Sequence, residues 1–150
     1  MSSELTDLYQ EVVLDHSKRP RNFGPMPEET HRAEGLNPLS GDRITIHARL
    51  SGGVLSDIRF EGSGCAISRA SASVMTGLVK GKSPAEIDAM FQAFHRLVTE
   101  GPRAGEEESM GKLAVFAGVH EFPARVKCAS LAWHTVRAAL ENQEEPVSTE

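Results

Sequence analysis

Residues 62–73 read GSGCAISRASAS and mark the point at which a predicted strand ends and a predicted helix begins. The glycines before Cys65 allow the backbone to turn tightly and to approach a neighbouring group closely. The small Ala and Ser residues that follow keep one face of the helix thin. We therefore expect Cys65 at a helix N-terminus, where the positive end of the helix dipole favours a thiolate, the form of cysteine that binds metals and attacks sulfur.

The second cysteine, Cys128, ends the segment FPARVKC, residues 122–128, near the start of another predicted helix. Arg125 and Lys127 beside it are cations of the kind that lower the pKa of a thiol. Two thiols at two helix starts, far apart in the sequence, suggest one shared site. The alternative is that each cysteine is a small buried hydrophobe and that the two basic residues are ordinary solvated charges.

Length, charge and cysteine usage narrow the class of protein. The 150 residues favour a single domain, which we expect over residues 1–142, with a flexible, solvated tail over 143–150. The net charge of −5, without a Lys/Arg block, argues against nucleic acid as a partner. No apolar run approaches the roughly 20 residues of a membrane span, and no signal peptide is evident. We expect a cytoplasmic monomer with no membrane partner, in which both thiols are reduced.

Alternating hydrophobicity predicts two antiparallel strands joined by a two-residue turn at Gly52-Gly53. One helix precedes them and four follow, one of which begins with a capping box at Ser83 and Glu86. This order predicts an α+β domain with helices packed on one face of a small antiparallel sheet of three strands, the third lying within residues 26–36. The inward-facing residues are predicted to be Ile44, Ile46, Ala48 and Leu50 in the first strand and Val54, Ser56, Ile58 and Phe60 in the second. The predicted helices are Leu5–His16, the segment from Cys65 to Gly81, the segment from Ser83, Met110–Gly118 and the segment from near Pro123.

The predicted hairpin brings chemically active residues together. Asp42 precedes its first strand and Cys65 follows its second, so both belong to the same end of the sheet, where the last helix could also bring Cys128. Asp with two Cys is a plausible partial zinc set, and three protein ligands would leave the fourth tetrahedral position open. The alternative for Asp42 is a structural role as the cap of a turn.

The chain resembles the U-type iron–sulfur cluster assembly proteins, in particular the SufU branch, to which Lys127 and the long segment before Cys128 also point. The resemblance implies a small antiparallel sheet covered by helices, and uptake of sulfur from a cysteine desulfurase of the SufS type. It also implies cooperation with downstream iron–sulfur assembly proteins and, for a scaffold, a transient cluster. SufU members bind zinc through three Cys and one Asp, and by that pattern Asp42, Cys65 and Cys128 match three ligands. The segments that carry the resemblance are DH (15–16), PRNFG (20–24), NP (37–38), GD (41–42), GSGCAIS (62–68), ASAS (70–73), GK (81–82), FPARVKC (122–128) and LAWH (131–134).

Ser40 is the departure from the family pattern, because it stands where the family has its first cysteine, a zinc ligand and the sulfur acceptor. A serine hydroxyl cannot form a persulfide, and as a neutral oxygen it is a poor zinc ligand beside thiolates. Three explanations stay open at this point. The serine was engineered to trap an inactive form, the acceptor is Cys65 or Cys128 instead, or the chain binds a desulfurase without accepting sulfur.

Three hypotheses for the function follow. The first is a zinc-dependent sulfur relay or cluster scaffold, impaired by Ser40, in which Arg125 stabilises the freed thiolate or the incoming persulfide. The second is a zinc-stabilised adaptor that binds the desulfurase and carries no sulfur. The third is a thiol hydrolase that pairs Cys65 or Cys128 with His134, which no short motif supports. A sulfur acceptor of the first kind resembles a sulfurtransferase more than a conventional enzyme.

Overall fold

The computed structural model describes residues 3–103 and 111–149. It shows the expected α+β fold, in which the sheet is mostly antiparallel and helices pack against it. None of the helices within these ranges is long and apolar enough to cross a membrane. In chain order the elements are α1 (Ser3–Lys18), β1 (His31–Asn37), β2 (Asp42–Ser51), β3 (Val54–Ser63), α2 (Ala66–Val79), α3 (Pro84–Glu100), a 3₁₀ helix (Gly111–Glu121), α4 (Pro123–Leu140) and β4 (Val147–Ser148).

The β2–β3 hairpin is present as predicted. Ser51 pairs with Val54, and the two glycines between them have φ angles of 61° and 80°. Both values are positive, which matches the two-residue turns whose twist suits a hairpin and which favour glycine. The start of β2 therefore lies beside the end of β3, and the residues that flank the hairpin meet at its open end.

A β-bulge in this hairpin corrects one part of the predicted burial pattern. Leu50 pairs with Leu55 while Arg49 pairs with Asp57, so Ser56 is an extra residue on β3. An extra residue shifts the alternation of side chains by one position. Leu55 is consequently fully buried and Ser56 is exposed, whereas the sequence pattern placed Ser56 on the inward face.

A fourth strand joins the three that were predicted, in the order β3-β2-β1-β4. Val147 pairs with Gly35 in a parallel bridge, and the Thr149 N–H donates to the Leu36 carbonyl at 3.1 Å. Val147 and Thr149 belong to the segment 143–150, which was predicted as a solvated tail; residues 143–146 are exposed, whereas these two residues bond to β1. The reason for the difference is that β1 would otherwise present unpaired backbone groups at a sheet edge, and Val147 also packs against the core.

The helices form one layer on the sheet and bury a shared core. Trp133 of α4 is fully buried and its ring stacks on Phe94 of α3, with centroids 4.9 Å apart. The predicted capping box of α3 is confirmed, since Ser83 and Glu86 exchange both side-chain-to-backbone hydrogen bonds. The short helix expected over Met110–Gly118 is the 3₁₀ helix, although Met110 lies outside the described residues. This packing fixes the start of α2 and the first turns of α4 at the open end of the hairpin.

Candidate metal centre

The loop between β1 and β2 positions Ser40 and Asp42, the first two residues of the site. Its backbone is closed by a hydrogen bond from the Gly41 N–H to the Asn37 carbonyl at 2.8 Å. Gly41 adopts a φ of 78°, a left-handed conformation that glycine reaches at little cost. Asp42, the first residue of β2, is only 1% exposed, while Ser40 on the loop is exposed. The Ser40 hydroxyl donates to Asp42 Oδ2 at 2.6 Å.

The junction between β3 and α2 brings Cys65 to Asp42. Asp42 Oδ1 accepts a hydrogen bond from the backbone N–H of Cys65 at 2.7 Å, and Cys65 is the N-cap of α2. Gly64 makes this approach possible, because a Cβ at that position would overlap the Asp42 carboxylate. The prediction that the hairpin places Asp42 and Cys65 at one end of the sheet is therefore confirmed.

Helix α4 completes the cluster with Cys128. Its Sγ lies 3.7 Å from Ser40 Oγ, and Cys65 Sγ lies 3.7 Å from Asp42 Oδ2. Asp42, Cys65 and Cys128 each offer one ligand atom, and these three atoms all lie within 4.8 Å of one another. The two thiols thus share one site with a carboxylate, as the sequence suggested.

The two thiols differ in their surroundings. Cys128 is 6% exposed, whereas Cys65 is half-buried. Burial, assisted by contact with the Cys65 side chain, raises the pKa of the Cys128 thiol to about 12, while the Ser40 hydroxyl opposes the shift. The expectation of a lowered pKa for this thiol was wrong, because burial raises it.

Arg125 lies on the solvent side of the first turn of α4. Its guanidinium is exposed and stacks over the Phe122 ring, 4.4 Å from the ring centroid. Among the described residues, no hydrogen bond or ion pair joins Arg125 to Ser40, Asp42 or either cysteine. Its suggested role towards a thiolate or persulfide therefore stays a prediction, and it would require the side chain to leave the Phe122 ring.

Asn37 is a site residue that the sequence reasoning missed. It is the last residue of β1, pairs with Asp42 across the strands, and is only 1% exposed. Its Nδ2 lies 3.6 Å from Cys128 Sγ as a donor. The sequence showed Asn37 only as part of a turn-forming Asn-Pro pair, because the end of β1 was not predicted. The pairing of a strand end with Asp42 is the signal that would have found it.

His134 does not belong to the cluster. Six residues separate it from Cys128 along α4, which turns its side chain about 240° around the helix axis. Its ring packs against Phe91, with centroids 5.0 Å apart, and against His95 at 6.0 Å. Burial lowers the pKa of His134, aided by the nearby His95 and Arg137 charges. The geometry therefore gives no support to a thiol hydrolase that pairs His134 with either cysteine.

Comparison with known proteins agrees with the fold and the site. The family model described as NifU-like N terminal domain matches residues 8–129, and the chain belongs to this family. It is similar to the zinc-dependent sulfurtransferase SufU of Bacillus subtilis (strain 168), with 36% identity over 95% of this chain and 96% of that protein. It is also similar to the iron-sulfur cluster assembly scaffold protein IscU of Streptococcus pyogenes serotype M1, with 38% identity over 92% of this chain and 86% of that protein.

Solved structures show the same architecture. A crystal structure of a putative iron-sulfur cluster assembly scaffold protein for the SUF system from Fervidobacterium islandicum AW-1 superimposes with a TM-score of 0.81. It is 32% identical, and the match covers 93% of this chain and 99% of that one. The family is thus one of iron–sulfur cluster assembly scaffolds and sulfur acceptors.

The donor set is compatible with zinc. In a tetrahedral site with zinc–sulfur bonds of about 2.3 Å, neighbouring ligand atoms lie about 3.5–3.8 Å apart. The 3.7 Å between Cys65 Sγ and Asp42 Oδ2 already matches this spacing, and the whole set lies within 4.8 Å. Ser40 bonds to Asp42 through a neutral hydroxyl, so the chain offers two thiolates and one carboxylate as strong ligands.

Proposed function

We propose that Cys65 of this protein accepts sulfur from a cysteine desulfurase and that the protein supplies this sulfur to iron–sulfur cluster assembly. The observation that carries the proposal is the convergence of Asp42, Cys65 and Cys128 within 4.8 Å at one end of the sheet. A relative that covers nearly the whole chain is named as a zinc-dependent sulfurtransferase, and another as a cluster scaffold. Both names describe proteins that handle sulfur or the clusters built from it.

Cys65 is the better acceptor of the two thiols. It is only half-buried at the N-cap of α2, so its sulfur can be reached from solvent. The bond from its N–H to Asp42 Oδ1 holds the backbone, so the thiol is presented in a fixed direction. Cys128 is 6% exposed and is much less accessible to a thiol on another protein.

The transfer step needs no added oxidant. The Cys65 sulfur attacks the terminal sulfur of the desulfurase persulfide, and the sulfur–sulfur bond of that persulfide breaks as the new one forms. Cys65 reacts as a thiolate and the desulfurase thiolate leaves, so that one thiolate and one persulfide are present before and after. Zinc held by Asp42, Cys65 and Cys128 would keep the thiols deprotonated at neutral pH.

Ser40 limits this activity without abolishing the site. Its hydroxyl cannot carry sulfur, and this hydroxyl donates a hydrogen bond to Asp42 Oδ2 at 2.6 Å. We therefore expect slower uptake than in a chain with cysteine at this position. The same substitution favours the second candidate, an adaptor that binds the desulfurase through this site and carries no sulfur, because the residue at the family's acceptor position is inert.

Labelled cysteine separates the two candidates. The protein is incubated with a cysteine desulfurase and sulfur-labelled cysteine, and the peptides are analysed by mass spectrometry without reduction. The relay predicts one added sulfur atom on the peptide that contains Cys65, loss of that label in Cys65→Ser, and greater uptake in Ser40→Cys. An adaptor predicts a change in desulfurase turnover with no label on either cysteine, which would overturn the relay.

A further inference from the structure

The side chain of Asn37 is buried against a sulfur of the site. The residue is 1% exposed, and its Nδ2 lies 3.6 Å from Cys128 Sγ. Its Oδ1 has no hydrogen-bond partner within the described ranges. A primary amide has one end that donates and one that accepts, and here only the donating end is used.

This arrangement suits a sulfur that carries negative charge. A thiol bonds weakly either as donor or as acceptor, whereas a thiolate needs donors and is repelled by acceptors. An amide placed only to fill the end of β1 would leave neither end unpaired, because unpaired buried polar groups are rare and costly. We therefore infer that the contact between Nδ2 and the Cys128 sulfur offsets the cost of leaving Oδ1 unpaired.

The backbone of Asn37 has a separate task. Its carbonyl closes the loop that carries Ser40, through the 2.8 Å bond from Gly41. A substitution of the side chain leaves this carbonyl in place. The contribution of the amide to Cys128 can therefore be tested without removing the bond that shapes the loop.

We propose that Asn37 is a positioning residue that orients the Cys128 sulfur as a metal ligand through an N–H···S hydrogen bond. Outer partners of this kind fix the direction of a ligand and tune its bond to the metal. The inference rests on the metal site of the proposed function, and it holds whether or not Cys65 accepts sulfur.

Cobalt(II) provides a direct probe, because its charge-transfer bands report the thiolates bound to it. We compare the unmodified protein with Asn37→Leu, which keeps the approximate volume and removes the donor, and with Asn37→Asp, which keeps the shape and presents acceptors. Loss of an outer partner typically weakens metal binding about 10–100-fold. We expect a loss of this size in Asn37→Leu, a larger one in Asn37→Asp, and a charge-transfer band at longer wavelength in Asn37→Leu, because the sulfur regains electron density.

Thr135→Val is the matched control. Thr135 lies on the same helix, is fully buried, and bonds only to the Leu131 carbonyl among the described residues. This variant removes a buried polar group of α4 without touching the sulfurs, so its cobalt affinity and band position should stay unchanged. If Asn37→Leu fails to fold, as judged by thermal unfolding without metal, Asn37→Ala takes its place with the same expected shift.

The possible results distinguish the role of Asn37 from the existence of the metal site itself. Cobalt binding by Asn37→Leu with the affinity and band position of the unmodified protein would overturn the role of Asn37 and leave the metal site intact. Tolerance of Asn37→Asp would also overturn it, because the oxygen would then be the end that faces Cys128. Failure of the unmodified protein to bind cobalt would overturn the metal site and this inference together.

Discussion

Gly64→Ala tests whether close approach to Asp42 is what the glycines before Cys65 provide. Gly64 has a φ of 158° and a new Cβ would overlap the Asp42 carboxylate, which is 1% exposed and has little room to move. The backbone conformation itself costs an alanine about 1–3 kcal/mol. Loss of the charged hydrogen bond between Asp42 and the Cys65 N–H costs about 1.5–3 kcal/mol more. The free energy of unfolding should therefore fall by about 2.5–6 kcal/mol.

Gly81→Ala is the control for backbone strain alone. Gly81 has a φ of 86°, and nothing lies within 4 Å of the position that a Cβ would take there, so its substitution should cost only about 1–2 kcal/mol. Urea unfolding of both variants and the unmodified protein, without metal, measures the difference. A Gly64→Ala variant that loses no more stability than Gly81→Ala would refute the idea that contact with Asp42 dictates a glycine at position 64.

Three further predictions concern the metal, the pH dependence and the sheet edge. Ser40→Cys should tighten zinc binding by more than about tenfold in a competition assay, because even outer partners change affinity about 10–100-fold and this change adds a ligand; an unchanged affinity would contradict the geometry. Burial lowers the pKa of His134 below its usual 6.5, so the unfolded chain takes up the proton first, and stability should fall as the pH drops below about 6.5. His134→Gln should flatten that decline in urea unfolding at pH 7.5 and 5.5, and an equal slope in both proteins would contradict it. Val147→Asp should release β4 and cost about 1–2 kcal/mol, seen as faster exchange of the Thr149 amide, which donates to the Leu36 carbonyl. Unchanged exchange would show that the edge pairing does not depend on Val147.

The sequence predicted those parts of the site that depend on local pattern. Gly52-Gly53 between two alternating segments is sufficient to predict a hairpin, and a hairpin is sufficient to bring its two ends together. Asp42 and Cys65 flank those ends, so their proximity followed from topology before any distance was known. Cys128 was linked to them by its position at another predicted helix start, and the family resemblance then implied the same residue as a ligand.

The parts that could not be predicted depend on contacts between distant segments. The bulge at Ser56 is a matter of register between two strands, and the alternation of hydrophobic residues within one strand does not reveal it. Val147 lies in a polar segment, and the edge of β1 together with contact with the core explains why it forms a strand. The high pKa of Cys128 follows mainly from burial, which the residues beside it in sequence do not reveal.

Ser40 and Asn37 together explain why the two thiols should differ in role. Ser40 lies on the exposed side of the cluster and bonds to Asp42, whereas Asn37 lies on the buried side and contacts Cys128. A partner that approaches from solvent meets the Ser40 side first and finds Cys65 half-buried there, while Cys128 stays enclosed by α4 and β1. By the family resemblance, Ser40 stands at the position of a cysteine, so this chain would have one thiol fewer on the open side of the site, while Cys128 stays on the buried side. On this geometry the chain keeps a sulfur-accepting position only if Cys65 serves as one.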